Sequence, residues 1–394
     1  MEIELTIDKV AFGGDGIAIH DGKVVFVEDV LPGERVRVRI TQDKKNFSRA
    51  QVVEIIEPST HRQMPECVYI KHCGGCQYQH MDYTTELGLK QAQLREIFSA
   101  VPGLDISRIR PIVASNKVYG YRNGFTLHTI NLKKKKIKIL GFVGRDNTSI
   151  IPIEKCLIAD DTLNLILKQK KYAFKENVEK IAFKLAEDGS VISDMDERYY
   201  RARIGERSIL ASSKGFFQTN LFIAGRIAEK LSDWLRDLSV EKFFDLYAGV
   251  GTFALLCAQA GSKIYAVEEN PANVEALKMN RSDMGLTDRM EIVQGRVENV
   301  FPGLWTREAS SKSMLILDPP RQGLSQDLAK FLSALKDPGP SLAYISCDPV
   351  TLARDLKIIL SSGAFDIQEI APFDMFPRTH HIETAVLLTP KIQS

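Results

Sequence analysis

From residue 216 onward the chain repeats one pattern: a short apolar run, a turn rich in Gly, Pro or Asp, then about one to two dozen residues of helical character. The runs are "KFFDLY", "KIYAVEE", "MEIVQG", "SMLILDPP", "SLAYISC" and "TAVLLTP". Short strands alternating with helices predict an open, doubly wound α/β sheet. Ligands of such a sheet bind beyond the carboxyl ends of its strands. Several runs end there in residues that carry chemistry: Gly249 and Gly251, Glu268, Asp318 and Cys347.

The preceding residues have a different texture. Residues 1–57 alternate β-rich runs with turns such as Phe12-Gly13-Gly14-Asp15-Gly16, which predicts a small OB-type barrel. Arg35, Arg37 and Arg39 share parity on one strand, followed by Lys44, Lys45 and Arg49; this face is a solvated edge or an RNA-facing surface. Residues 84–99 read as a helix with Leu87, Leu94, Ile97 and Phe98 on one side, and residues 120–215 as mostly strands, with "KKKKIK" at a hairpin tip. The net charge is only +2, yet residues 101–150 hold ten Lys/Arg against Asp105 and Asp146, a local excess that attracts a polyanion. No apolar run approaches the roughly 20 residues that cross a bilayer, and the start "MEIELTIDKV" is not a signal peptide, so a cytoplasmic protein is expected.

The first strand of the α/β half leads into Ala248-Gly249-Val250-Gly251-Thr252 and then a helical segment, letting backbone approach a ligand. Glu268, at the end of the next strand, is placed to accept from ribose hydroxyls. A dinucleotide fingerprint would carry a third glycine; its absence near Leu255 fits S-adenosylmethionine, which has no pyrophosphate. Asp318-Pro319-Pro320-Arg321 puts a carboxylate and a rigid turn beside that donor. Amino-methylating enzymes place an aromatic residue after the prolines, so Arg321 argues against an exocyclic amine as acceptor.

Cys347 at a strand end is a buried filler or a nucleophile. A thiolate there could add to C6 of a pyrimidine, making C5 nucleophilic enough to take a methyl group. A base must then remove the C5 proton. Glu383, just before the last apolar run, is preferred to the neighbouring His380 and His381. The Asp348-Pro349 step reads as a helix-forbidding, stiff turn that stops the strand.

Six cysteines in a chain of 394 residues do not make a disulfide scaffold. Cys67, Cys73 and Cys76 instead form a tight metal-ligand pattern, and Cys156 is the remaining cysteine outside the α/β half. Four thiolates suit zinc or a 4Fe-4S cluster equally.

Together "CVYIKHCGGCQYQH", "FFQTN", "DLYAGVGTF", "DPPRQGL", "SCDP" and "HHIETAVLL" resemble, in order, the motifs of the RNA 5-methyluridine (uracil-C5) methyltransferase family, with a TRAM-like barrel at 1–58. The resemblance implies a class I, Rossmann-like S-adenosylmethionine-dependent methyltransferase domain over 84–111 and 214–394, and a β-rich iron-sulfur domain over 59–83 and 112–213. It implies a 4Fe-4S cluster on Cys67, Cys73, Cys76 and Cys156, Cys347 as nucleophile and Glu383 as proton acceptor. Gln218, Tyr247, Glu268 and Asp318 match donor-binding positions, as do Thr252 and Arg296. Phe216 would stack on the target base, Asp318 would also face it, and Arg122 would stabilise the enolate oxygen. The implied partner is RNA, 23S rRNA before tRNA, bound by a monomer away from any membrane. Rival readings are a cytosine-5 enzyme, against which Arg321 stands where Pro-Cys is usual, and a non-catalytic iron-sulfur RNA-binding protein.

Overall fold

The computed structural model describes residues 1–391 except 133–136, 170–177, 259–260 and 336–338; the lysine run expected at a hairpin tip lies outside the described residues. The large sheet contains, in chain order, Lys242–Leu246, Lys263–Glu268, Met290–Gln294, Ser313–Leu317, Ser341–Ser346, Phe365–Phe373 and Glu383–Pro390. Their spatial order is third, second, first, fourth, fifth, seventh, sixth. The first five are parallel, and the seventh runs antiparallel between the fifth and sixth.

Six of these are the six apolar runs. The sixth strand, "FDIQEIAPF", escapes a hydrophobicity reading because it is an edge strand with Asp, Gln, Glu and Pro in it and a register irregularity between Ile367 and Glu369. The fourth and fifth strands are buried along their whole length, as helices on both faces require. One face packs around Phe243, Ile264, Ile316 and Ile345, the other around Phe244, Tyr265, Leu317 and Tyr344.

The N-terminal six-stranded sheet has its own core around Leu5, Val25, Val27, Val36 and Val38. Arg35, Arg37 and Arg39 do share a face, but acidic residues from neighbouring strands meet each of them. Arg35 reaches Glu57 at 2.7 Å, Arg37 reaches Glu4 at 3.1 Å, and Arg39 reaches Glu2 at 2.7 Å. The stripe is therefore neutralised and not a free cationic track; its exposed pairs add little stability.

Between these units lies a second antiparallel sheet of five strands, against which the helix Asp161–Gln169 packs, an element that the strand-rich pattern of residues 120–215 does not announce. The hairpin of Tyr199–Ile204 and Arg207–Ser212 contributes Tyr200, Ala202, Ile204 and Ile209 to the core of the large sheet.

The helix Tyr83–Ser99 begins at Asp82, whose carboxylate accepts from Thr85 N at 2.8 Å. It docks on the large sheet through Leu94 and Phe98, but much of its buried face is charged. The Lys90 ammonium donates to Glu86 at 2.8 Å and to Asp374 at 2.6 Å, all three side chains being inaccessible to water. Asp374 also accepts from Tyr83 Oη at 2.7 Å. Arg378 completes the junction: its guanidinium donates to Met81 O at 2.8 Å, and its own carbonyl accepts from Gln77 N and Tyr78 N at 3.0 Å. No helix among the described residues is long and apolar enough to cross a membrane.

Candidate active site

The first strand ends in a loop that only unusual backbone can make. Tyr247, Gly249 and Gly251 have φ of 71°, 57° and 87°, and a Cβ on Gly251 would come within 2.3 Å of Leu277 Cδ1. Glu268 braces this loop, accepting from Gly249 N at 2.8 Å and Asn270 N at 2.7 Å. Oε1 also accepts from Asn273 at 3.4 Å, so Oε2 is the oxygen with a lone pair to spare. Beneath the loop, Asp245 Oδ2 accepts from Ala254 N at 2.8 Å while Oδ1 is buried without a partner. Burial, then the charges of Asp318 and Glu268, raises this carboxyl to about 7. Thr252 is buried at the start of the short helix Thr252–Leu256. Tyr247 Oη donates to Glu298 at 3.0 Å, and Arg296 sits exposed on the outer rim near Glu269 and Glu298.

The second half of the site is set by sheet register. The fifth and seventh strands pair Ser346 with Thr384. The ladder ends there; Cys347 and Glu383 are the next residues on the two chains, close enough for the Glu383 charge to act on the thiol. The Asp348-Pro349 step stops the strand as expected, yet it starts a helix where a helix-forbidding turn was expected. Asp348 caps the helix Pro349–Leu360, accepting from Val350 N at 3.0 Å and Thr351 N at 2.9 Å. Proline at the first helical position loses no hydrogen bond.

Arg321 is the residue whose role the sequence did not reveal. Its charge acts on the Cys347 thiol, and it approaches His381 Nε2 at 3.3 Å. A guanidinium only donates, so Nε2 of His381 is the unprotonated nitrogen. Burial raises the Cys347 thiol to about 12, with Glu383 and Asp318 adding to the rise and Arg321 opposing it. Glu383 is buried and held well above the ordinary carboxylate range by desolvation and by Asp318, again against Arg321. Asp318 is raised to about 7 by burial, and its hydrogen bond with Gln218 pulls the other way. His380 and His381 are pushed down to about 4 and about 3, chiefly by burial. His380 is held by Gln77, whose Oε1 accepts from its backbone N–H at 3.3 Å and lies 3.2 Å from Nδ1.

Phe216 is 69% exposed, while its neighbour Phe217 is buried against Tyr200. Arg122 lies on the side facing the cysteines: its charge acts on Cys73, Cys156 and His381, and its Nε is buried without a partner.

Cys67, Cys73, Cys76 and Cys156 are free thiols drawn together from two segments. Burial raises Cys73, Cys76 and Cys156, Cys76 to about 12, and charge on Cys67, Cys73 or Cys156 adds to the rise. Gly74 has no room for a side chain, a Cβ falling 3.0 Å from Gly144 O. Asn164 of the helix Asp161–Gln169 accepts from Cys156 N at 2.7 Å and so fixes the fourth cysteine. Among the described residues no group of three or more His, Cys, Asp or Glu is placed to hold a metal ion.

The family model for tRNA (uracil-5-)-methyltransferases matches residues 186–391, and that for the TRAM domain residues 1–53. The chain belongs to the tRNA (uracil-5-)-methyltransferase family. An uncharacterized RNA methyltransferase of Bdellovibrio bacteriovorus is 33% identical, the match covering 97% of this chain and 94% of that one. The 23S rRNA (uracil(1939)-C(5))-methyltransferase RlmD of Shewanella piezotolerans is 27% identical over 98% of this chain and 95% of its own. The crystal structure of Pyrococcus abyssi tRNA (uracil-54, C5)-methyltransferase in complex with S-adenosyl-L-homocysteine superposes with a TM-score of 0.73 at 23% identity, covering 98% of this chain and 100% of that one. This uracil-5-methyltransferase family member is thus an RNA-modifying enzyme with an S-adenosylmethionine-dependent methyltransferase fold and a TRAM domain.

Proposed function

We propose that the enzyme methylates C5 of a uridine in structured 23S rRNA through a covalent bond between Cys347 and C6 of the base, with Glu383 as the base that restores aromaticity. The observation that supports this reading is the pairing of Ser346 with Thr384, which brings the adjoining Cys347 and Glu383 together, with the Arg321 charge acting on both. The Arg321 guanidinium and the amino-terminal end of the helix Pro349–Leu360 both favour the thiolate.

Cys347 adds to C6, and the electron pair passes through C5 to the C4 oxygen. S-adenosylmethionine supplies a methyl group on a sulfonium, leaving as the neutral thioether. Glu383, ionised, removes the C5 proton; the C5–C6 double bond re-forms and Cys347 departs as thiolate, so atoms and charge balance. Asp245, Glu268 and Asp318 make the donor side acidic, which suits a cationic donor. Tyr247, Gln218, Thr252 and Arg296 complete that side in this reading. Phe216 offers an exposed ring for a base taken out of its stack, and the unpaired Nε of Arg122 offers a donor for the developing enolate. His381 accepts from Arg321 and is a weak base at about 3, which supports Glu383 as proton acceptor.

Four thiols from two segments, not in ligating geometry here but acting on one another and with Arg122 and Arg145 close by, suit an anionic 4Fe-4S cluster, zinc being the alternative. Cys67, Cys73, Cys76 and Cys156 would hold it, tying two chain segments together. Absorbance of anaerobically purified protein decides between them: a colourless protein with stoichiometric zinc removes the cluster. Of the expected division into 1–58, 59–83 with 112–213, and 84–111 with 214–394, the separate cores support the first unit and the docking of 84–111 on the large sheet, whereas residues from 186 to 211 pack in the large-sheet core and favour an earlier last boundary.

The 98% coverage by the RlmD relative favours 23S rRNA, while the Pyrococcus structure keeps tRNA as the second reading. RNA carrying 5-fluorouridine should trap a Cys347-dependent adduct on a denaturing gel, and mapping 5-methyluridine in a deletion strain should show the loss in 23S rRNA. No adduct with either RNA would remove the covalent mechanism.

A further inference from the structure

Lys184 lies in the strand Lys180–Leu185 of the five-stranded sheet, outside the large sheet, but its ammonium leaves that sheet. It donates to the carbonyls of Gly215 and of Ser212, the latter at 3.3 Å. These carbonyls belong to one turn, closed by Gly215 N donating to Ser212 O at 3.1 Å. On its other side the turn abuts the helix Pro271–Asp283: a Cβ on Gly215 would fall 2.1 Å from Asn273 Oδ1. Asn273 in turn reaches Glu268 at 3.4 Å. The turn is thus gripped between Lys184 and the donor-side helix.

The segment leaving this turn is one that the proposed chemistry needs. Phe216 projects into solvent, Phe217 packs on Tyr200, Gln218 bonds Asp318, and Asn220 caps the helix Leu221–Asp237. The Lys184 ammonium also sits 5.9 Å from the Tyr200 ring centroid. Holding a cation there has a cost, since burial draws Lys184 down to about 8 with only Asp194 opposing. Its donors are directed to two carbonyls of a turn, which fixes geometry and does not neutralise charge.

We propose that Lys184 is a positioning residue for methyl transfer, clamping the Ser212–Gly215 turn so that Phe216 and Gln218 are presented to the target base and the methyl donor in a fixed arrangement. This rests on the reading that Phe216 and Gln218 face RNA and donor.

The test compares Lys184→Met, Lys184→Arg and Lys184→Gln in the full chain. Lys184→Met is expected to raise amide exchange over residues 213–219 while leaving the N-terminal barrel unchanged. It should raise KM for RNA and weaken S-adenosylhomocysteine binding by about ten- to a hundredfold, the range of a charge-assisted hydrogen bond, with a smaller change in kcat. Lys184→Arg should recover part of the loss; if the Met variant does not fold, Lys184→Gln, which keeps donors without charge, replaces it. In a Phe216→Ala background the KM effect should shrink, because the clamp acts through that ring. Unchanged exchange at 213–219, or an undiminished KM effect without Phe216, overturns the proposal. Exchange and S-adenosylhomocysteine binding need no turnover, so failure of the covalent mechanism would be seen separately, as a missing fluorouridine adduct.

Discussion

Replacing Arg321 by Met removes a cation whose charge opposes the rise of the Cys347 thiol. A unit charge about 6–10 Å away is worth about 1.5–3 kcal/mol at an effective dielectric of about 20. At about 1.4 kcal/mol per pKa unit, its loss raises the thiol by about one to two units. The thiol already stands near 12, so between pH 7 and 10 only a small thiolate fraction reacts and the rate scales with that fraction. Alkylation of Cys347 by iodoacetamide, read by mass spectrometry of its peptide, should therefore fall about ten- to a hundredfold at each pH in that window, with the slope of log rate against pH unchanged. Cys257, buried and bonded to Ala228 O, is the internal unreactive control. Arg321→Lys should fall between wild type and Arg321→Met, because the charge survives without the fork. Equal alkylation rates in wild type and Arg321→Met would refute the assignment of Arg321 as the thiol's activating partner.

Glu383→Gln should still form the adduct yet stall after methyl transfer, so that methylated RNA stays bound to the protein on a denaturing gel; normal turnover would transfer the base role elsewhere. Because Glu383 and Cys347 are both raised and both must lose protons, kcat should climb with pH from 6 to 9, and a profile already flat at pH 6 contradicts this. Asp245 binds its proton more tightly in the fold, about 7 against 3.8, so its contribution is present below pH 3.8 and is lost as pH rises through 7. Asp245→Asn should therefore stabilise the protein at pH 8, by up to about 4 kcal/mol, and not at pH 4, as urea denaturation at the two pH values will show. Lys90→Met leaves Glu86 and Asp374 buried beside each other and should cost about 3–5 kcal/mol, largely restored by adding Glu86→Gln and Asp374→Asn; a loss below about 1 kcal/mol contradicts the buried network.

The parallel strands and the residues at their ends were readable because a strand buried on both faces must be apolar throughout, whatever its neighbours. Contacts between distant segments were not. The parity of Arg35, Arg37 and Arg39 was visible, but the carboxylates that neutralise them come from other strands. In the helix Tyr83–Ser99 apolar periodicity marks Leu94 and Phe98 but not Glu86, Lys90 and Gln93, whose burial depends on Asp374, Arg378 and Tyr78. Asp348-Pro349 looked like a helix breaker because proline's effect depends on whether it stands inside a helix or at its first turn. Arg321 was noticed only for the aromatic it replaces, since its partners Cys347 and His381 arrive by folding.

The Lys90 to Asp374 link spans 284 residues, and the Arg378 guanidinium reaches back to Met81 over a similar length. During synthesis at about 5–20 residues per second, the helix Tyr83–Ser99 must wait on the order of tens of seconds before its charged face finds partners. Those partners precede Glu383 by only a few residues, so one late segment both closes the fold and delivers the proposed base. A chain cut short before this segment lacks Asp374, Arg378 and Glu383 together, and so loses the buried partners of the helix and the proposed base at once.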